Sequence, residues 1–450
     1  MNDSKFRFYF VSIVLAFAIA NPMKVEAESK AELVRKENDY GIASARSTQK
    51  YSFELADPLT STFYRGTPQS DFALKGMSTE KLMEDGLDYA RKGIQKEAIR
   101  RFEIVIERHP ESIEARNNIA VCLKQIGEND KAIEHFTQAI KSNPRKPALF
   151  NNLATAYLSR GDTDKALNNC FRALLIQPEY AACQYNLGHI LALKKDHGGA
   201  IAAYQKALKL EPNNLAARRD LGDSLRALGR YEQALFEYKE VEKAFDRTNA
   251  LQFRIAKCHE ELGNLKEAHR ILVKLVDSAR DNTQYLNSLG VVLWKMNHLP
   301  EAAFVLEKAL KLEPTYYRAR NNLGIVLFEL KRYQEAVNVW RQAIQLKEDY
   351  PNAHFNMGCA LMQSGLFEQA CDAFKSSIKY NPEDANAYNN LGLALEKLGK
   401  TDDAITQWKK AIRIDENLAQ AYINLGKALH LRNQGDSAAV RKEIGVKPDS

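Results

Sequence analysis

The chain has 450 residues, 45% of them apolar or aromatic, with 64 Lys and Arg against 57 Asp and Glu and a net charge of +7. The apolar share is ample for a continuous core. The charge is modest, no Lys/Arg run reaches five residues, and no stripe pairs basic with aromatic residues, which excludes the electrostatic footprint of a nucleic-acid-binding protein. Length alone would suggest about three domains, but the internal spacing described below overrides that expectation.

The first element is a signal peptide, residues 1–27. Lys5 and Arg7 form a basic start, and Phe8 to Ala20 is an apolar run interrupted only by Ser12. Val25-Glu26-Ala27 offers small residues for cleavage before Glu28. The run is too short to span a bilayer comfortably; an uncleaved amino-terminal anchor is the alternative, and with it the one route by which the chain would touch a membrane. The expected location is exported, periplasmic or secreted. Residues 28–78 read as a flexible, charge-balanced linker carrying Tyr40, Tyr51, Phe53, Phe63, Tyr64 and Phe72. This linker is either a spacer or an arm that lies in the protein's own groove as a displaceable plug.

From residue 79 a single spacing governs the chain. Ala120, Ala154, Gly188, Gly222, Ala256, Gly290, Gly324, Gly358, Gly392 and Gly426 each lie 34 residues after the last, and Ala132, Ala166, Ala200, Ala234, Ala268, Ala302, Ala336, Ala370 and Ala404 keep the same interval. An unbroken period of this length is the signature of a solenoid. Within one unit, Phe150, Leu153, Ala154 and Tyr157 share one face of a helix, Gly161 ends that helix, and Pro178 stops a second helix carrying Ala166, Cys170 and Ala173. Each unit is therefore two antiparallel helices of about fourteen residues, roughly 21 Å long. The small residues mark where the two helices cross closely, and Tyr157, Tyr204, Trp340, Phe374 and Trp408 are expected to fill the space between units. No single unit buries its own apolar face.

Small residues at unit positions 8 and 20, aromatic or aliphatic ones at 4, 11 and 24, Ala at 27 and Pro at 32 make these units resemble the tetratricopeptide repeat (TPR) family. Ten units fit, starting at Thr79, Ile113, Pro147, Ala181, Leu215, Asn249, Thr283, Tyr317, Pro351 and Ala385, followed by a lone helix from Ala419. The repeat region is assigned to 79–433 and a disordered tail to 434–450. The resemblance implies an all-α fold, a right-handed α-solenoid of ten helix pairs with a C-terminal capping helix and a concave inner face. The departures are Asp85 in the first unit, Asp246 and Arg280 in place of the closing proline in the fifth and sixth, and His259 and Leu272 at aromatic positions in the sixth.

In this family, positions 2, 5, 6, 9, 12 and 13 of the first helix face the concave side. Position 6 is Asn118, Asn152, Asn186, then Asp220, Arg254 and Ser288, then Asn322, Asn356, Asn390 and Asn424. An asparagine amide both donates and accepts, so such a row can grip the backbone of an extended peptide. The row is similar to the asparagine ladder of the repeat superhelix in the eukaryotic O-linked N-acetylglucosamine transferase, whose catalytic domain has no counterpart here. The alternative is that these are consensus residues solvated in the groove. Below the interruption the groove is polar, with Asn117, Asn151, Thr155 and Lys124; above it, Trp294, Phe328 and Met362 recur at position 12 beside Val291, Ile325 and Phe355. These apolar residues either form a partner-binding patch or extend the core. Arg219, Arg226 and Arg254 are flanked by Asp220 and Asp223, so local neutralisation is expected rather than capture of an acidic tail.

Cys122, Cys170, Cys183, Cys258, Cys359 and Cys371 are expected to be buried core residues; Cys170–Cys183 and Cys359–Cys371 are the pairs that could bridge adjacent helices. No Cys/His cluster has metal-ligand spacing, no Gly-rich loop cradles phosphate, and no segment outside the repeats exceeds about fifty residues, so neither catalytic residues, nor a cofactor, nor a metal site, nor a small-molecule substrate is expected. The function expected is a non-catalytic, exported protein–protein interaction scaffold that binds extended partner segments, in cell-envelope assembly or secretion by analogy. A chaperone-like module for unfolded or exported clients is the alternative, and a self-assembling subunit is a third class.

Overall fold

The computed structural model of the chain describes residues 71–244 and 247–430. The signal segment, most of the linker, Asp246 and the tail expected from the sequence lie outside these residues. The described residues are helices joined by turns, with no strand among them, and fall into two compact units divided between Leu262 and Gly263.

The first unit contains α1 (Asp71–Lys75), α2 (Thr79–Arg91), α3 (Gln95–Arg108), α4 (Ile113–Gln125), α5 (Asn129–Ser142), α6 (Pro147–Arg160), α7 (Thr163–Ile176), α8 (Ala181–Leu193), α9 (His197–Leu210), α10 (Leu215–Ala227), α11 (Tyr231–Lys243) and α12 (Asn249–Glu261). The second contains α13 (Leu265–Ser278), α14 (Thr283–Lys295), α15 (Leu299–Leu312), α16 (Tyr317–Glu329), α17 (Tyr333–Leu346), α18 (Pro351–Gln363), α19 (Phe367–Tyr380), α20 (Ala385–Lys397) and α21 (Thr401–Ile414), followed by helical residues 419–430. The ten first helices begin at the ten residues that the spacing marks as unit starts. Within each unit consecutive helices pack together, and first helices of successive repeats also touch. The fold is an all-α solenoid of helix pairs.

Local chemistry sets these boundaries. Ser78, Ser112, Asn214, Thr248, Asn282 and Asp384 cap first helices by accepting a backbone N–H three residues on, which satisfies an otherwise orphaned donor. The turn inside every repeat passes through one left-handed residue at position 15. It is glycine in seven repeats and Lys195, Asn297 or Lys331 in the others, with φ 63–64°. Second helices end on an extended residue at position 31, with φ between −128° and −145° in nine repeats. A following proline imposes that conformation by steric clash, yet Ala279, Lys347 and Asp415, which precede Arg280, Glu348 and Glu416, adopt it too. The fifth repeat alone departs: α11 stops one residue earlier, on Ala244 with φ −79° and ψ 20°.

Of the large side chains expected between units, Tyr204, Trp340, Phe374 and Trp408 instead sit over the small residue of their own repeat. A Cβ added at Gly188 would lie 2.6 Å from Tyr204, at Gly222 2.5 Å from Tyr238, at Gly358 2.6 Å from Phe374 and at Gly392 2.5 Å from Trp408. Position 24 thus fills the hollow that glycine leaves at position 8, and the two helices of a repeat close around one buried ring. Position 4, expected to be apolar, is often polar for a different reason. Arg116, Arg218 and Arg320 donate to the carbonyls of Pro110, Pro212 and Pro314, and Gln184 donates to that of Pro178. Each ties the first helix to the end of the preceding repeat.

The described residues begin ahead of the first repeat. Within the expected linker, Leu74 on α1 is fully buried, and the Arg108 guanidinium donates to the carbonyls of Lys75 and Met77 at 2.7 Å each. No helix among the described residues is long and apolar enough to cross a membrane. All six cysteines are buried thiols.

Candidate partner-binding face

The row of first helices presents positions 5, 6, 9 and 12 of successive repeats side by side, and two distinct chemistries occupy it. The position-6 asparagines have partners inside the protein. Asn152 Nδ2 donates to Asn117 Oδ1 at 2.9 Å, Asn186 to Asn151 at 2.8 Å, Asn322 to Asn287 at 2.8 Å, Asn356 to Asn321 at 3.2 Å and Asn424 to Asn389 at 3.0 Å. Each bond crosses from position 6 of one repeat to position 5 of the repeat before it. Wherever position 5 is asparagine, the bond forms. Where it is Phe355, Asn390 turns to the Cys359 sulfur at 3.8 Å. Asn118 follows Met83 at position 5 of the first repeat and accepts from the adjacent Asn117 at 3.4 Å.

Sequence reasoning found the amide row but missed this engagement. The detectable signal was the co-occurrence of Asn at position 5 with Asn at position 6 one unit later. Asn186, Asn390 and Asn424 are buried, and Asn118, Asn152, Asn322 and Asn356 are half-buried. An amide that gives one N–H to a neighbouring repeat keeps a second N–H and further acceptor capacity, so it serves the stack first.

Across the interruption the same inter-repeat position is ionic. Tyr185 donates to Asp220 at 2.9 Å, and Arg219 bonds the other oxygen of that carboxylate at 3.0 Å. Asp223 accepts from Tyr238 at 2.6 Å and from Arg254 at 2.8 Å. Burial pushes the Asp223 carboxyl up, but the charges of Arg254 and Arg226, with these hydrogen bonds, outweigh it and hold the carboxyl below the usual range. The arginines are therefore neutralised locally, as the alternation of charges implied. Beside them, burial depresses the His189 imidazole.

In the polar stretch, Lys124 donates to Thr155 Oγ1 at 3.0 Å. Burial lowers its ammonium to about 8, because desolvation disfavours the charged form.

The apolar residues lie in the second unit. Val291, Trp294, Ile325, Phe328, Phe355 and Met362 are all half-buried. Val291 and Trp294 on α14 meet Asn322 and Ile325 on α16 around a shallow depression also lined by Gly290, Leu306 and Val326. Phe328 leans back onto Tyr333 and Trp340, with ring centroids 5.3 and 6.3 Å away, and Phe355 packs edge-on to Phe374 at 5.7 Å. These two rings brace the core with one side. The structure thus gathers Val291, Trp294, Asn322 and Ile325 around one depression and sets Phe328 and Phe355 on the second helices of their own repeats.

Tetratricopeptide repeat models match residues 86–147, 123–177 and 219–282, 181–214, 283–316 and 305–338. A TPR repeat model matches 324–365, 358–399 and 397–432. Together they span well over half of the chain. No curated protein sequence matches. Among solved structures, the chain is similar to the MamA protein, at 26% identity over 38% of this chain and 94% of that one, with a TM-score of 0.35. PilF of Pseudomonas aeruginosa is 19% identical over 46% and 94%, with a TM-score of 0.43. Yeast Tom70 is 13% identical over 82% and 99%, also with a TM-score of 0.43. On its repeat matches, its helix pairs and their spacing, the chain belongs to the tetratricopeptide repeat family.

Proposed function

We propose that this protein is an exported, non-catalytic interaction scaffold that holds an extended segment of a partner protein along its first-helix face. Membership of a family of protein-interaction repeats supports the scaffold reading. The observation that carries the binding reading is the half-buried depression formed by Val291, Trp294 and Ile325 with Asn322 at its rim. It offers a shallow apolar contact surface for a side chain of the partner, and the uncommitted N–H and acceptor capacity of Asn322 and Asn356 lies alongside for the backbone of the same segment. Export rests on the basic start and apolar run of residues 1–27 and the Val25-Glu26-Ala27 site. A role in envelope assembly or secretion goes with that route.

A photo-crosslinking amino acid placed at Ile325 in living cells, with adducts identified by mass spectrometry, tests the binding reading. Ile325 suits this better than Phe328, whose ring supports Trp340. One dominant protein adduct supports a dedicated scaffold. A broad spread of exported proteins favours the chaperone-like module, and an adduct to residues 28–77 of the same chain means the face is self-covered. Absence of any adduct overturns the site. Amino-terminal sequencing of the purified protein tests export: a chain beginning at Glu28 supports it, and an intact Met1 start overturns cleavage.

A further inference from the structure

Position 24 is a Phe, Tyr, Leu or Trp in nine repeats, and in the third it is Cys170. Position 3 of the following repeat is Cys183. Cys170 lies on α7 and Cys183 on α8, so the two belong to different repeats joined by one short turn. Both are fully buried, and the Cys183 thiol donates to the Cys170 backbone carbonyl at 3.4 Å. The two sulfurs occupy the interior where other repeats place a ring or a leucine. We propose that Cys170 and Cys183 are a disulfide-forming pair that locks the second helix of the third repeat to the first helix of the fourth.

The environment dictates when the bond forms. The Cys183 thiol, by hydrogen bonding, and then burial push the Cys170 thiol well above its usual range. The thiolate is the attacking species, so the folded, reduced protein is slow to react and the bond closes while α7 and α8 are still docking. One cysteine thiolate attacks a small disulfide oxidant such as oxidised glutathione, forming a mixed disulfide and expelling one glutathione thiolate. The second cysteine, its proton lost to solvent, attacks the mixed disulfide and expels the other. Two protein thiols lose two electrons and two protons, and the oxidant becomes two thiols. The closed loop is short, and its constraint acts on the unfolded chain.

The test uses the full chain, unfolded and refolded in a buffer of oxidised and reduced glutathione, then blocked with iodoacetamide and digested without reductant. Trypsin, cutting after Lys165, Arg172 and Lys194, places Cys170 in peptide 166–172 and Cys183 in peptide 173–194. The expected result is that these two peptides are recovered joined. The oxidised protein should melt roughly 5 °C higher than the reduced one, a gain lost in Cys170→Ala. Cys183→Ala, which installs the residue found at Ala217 and Ala319, supplies the same control if Cys170→Ala fails to fold. Recovery of both peptides separately and alkylated, or of either cysteine joined to a different one, overturns the proposal.

Discussion

A Cβ built on Gly324 would stand 2.5 Å from Cε2 and Nε1 of the Trp340 indole. The indole is almost fully buried and donates to the Asn321 carbonyl at 3.2 Å, so it cannot swing aside without losing both packing and a hydrogen bond. Gly324→Ala should therefore destabilise the second unit by about 2 kcal/mol, as overpacking does, even though alanine is the better helix former. Thermal or urea unfolding of the variant checks this; an unchanged or raised midpoint would show that the indole relocates freely.

The amide bond between Asn186 and Asn151 joins two buried side chains. Asn186→Ala and Asn151→Ala should each lower stability, and the double variant should cost less than their sum by about 1 kcal/mol, the net worth of one such bond. A double-mutant cycle by urea unfolding measures the coupling. Strict additivity would mean that the two amides act independently.

Lys195 and Lys331 hold a backbone conformation that seven other repeats assign to glycine. A side-chain-bearing residue there pays about 1–2 kcal/mol of steric strain, partly offset by the freedom glycine has in the unfolded chain. Lys331→Gly should stabilise by about 0.5–1 kcal/mol and Gly161→Ala, its converse, should destabilise by a similar amount. Opposite shifts in melting midpoint are the expected readout.

Lysine titrates near 10.4 in an unfolded chain, and Lys124 near about 8 in the folded one. Between these values the unfolded state holds more protons, so this residue makes stability rise with pH from about 8 to about 10.4. The burial penalty is present in full below pH 8. Lys124→Met should raise the urea midpoint at pH 7.5 and lose that advantage by pH 10. An advantage independent of pH would place the effect in packing rather than in the charge.

The parts legible in the sequence were those set within one repeat. Helix starts, the turn at Gly161 and the crossing glycines follow from residues at most sixteen apart, where helix period and backbone sterics are strict. What escaped was the bonding between repeats. The Asn152–Asn117 bond spans 35 residues and needs the two first helices laid side by side before it becomes visible. The donation from Arg320 to the Pro314 carbonyl likewise made a polar residue correct where the family pattern led one to expect an apolar one. For the candidate face, the in-phase apolar residues were readable, but their division was not. Phe328 is committed to Trp340 and Trp294 to the depression, although both stand at position 12.

The offset of the amide bonds also governs how the array can grow or shrink. Removing residues 317–350 would bring Asn287 opposite Asn356 and restore a matched junction. Removing residues 385–418 would bring Phe355 opposite Asn424 and exchange its amide partner Asn389 for the weaker Cys359 sulfur that Asn390 now uses. Duplication and loss of whole units during descent are thus tolerated at some seams and penalised at others, and the chain carries in its side chains a grammar for which of its units can be neighbours.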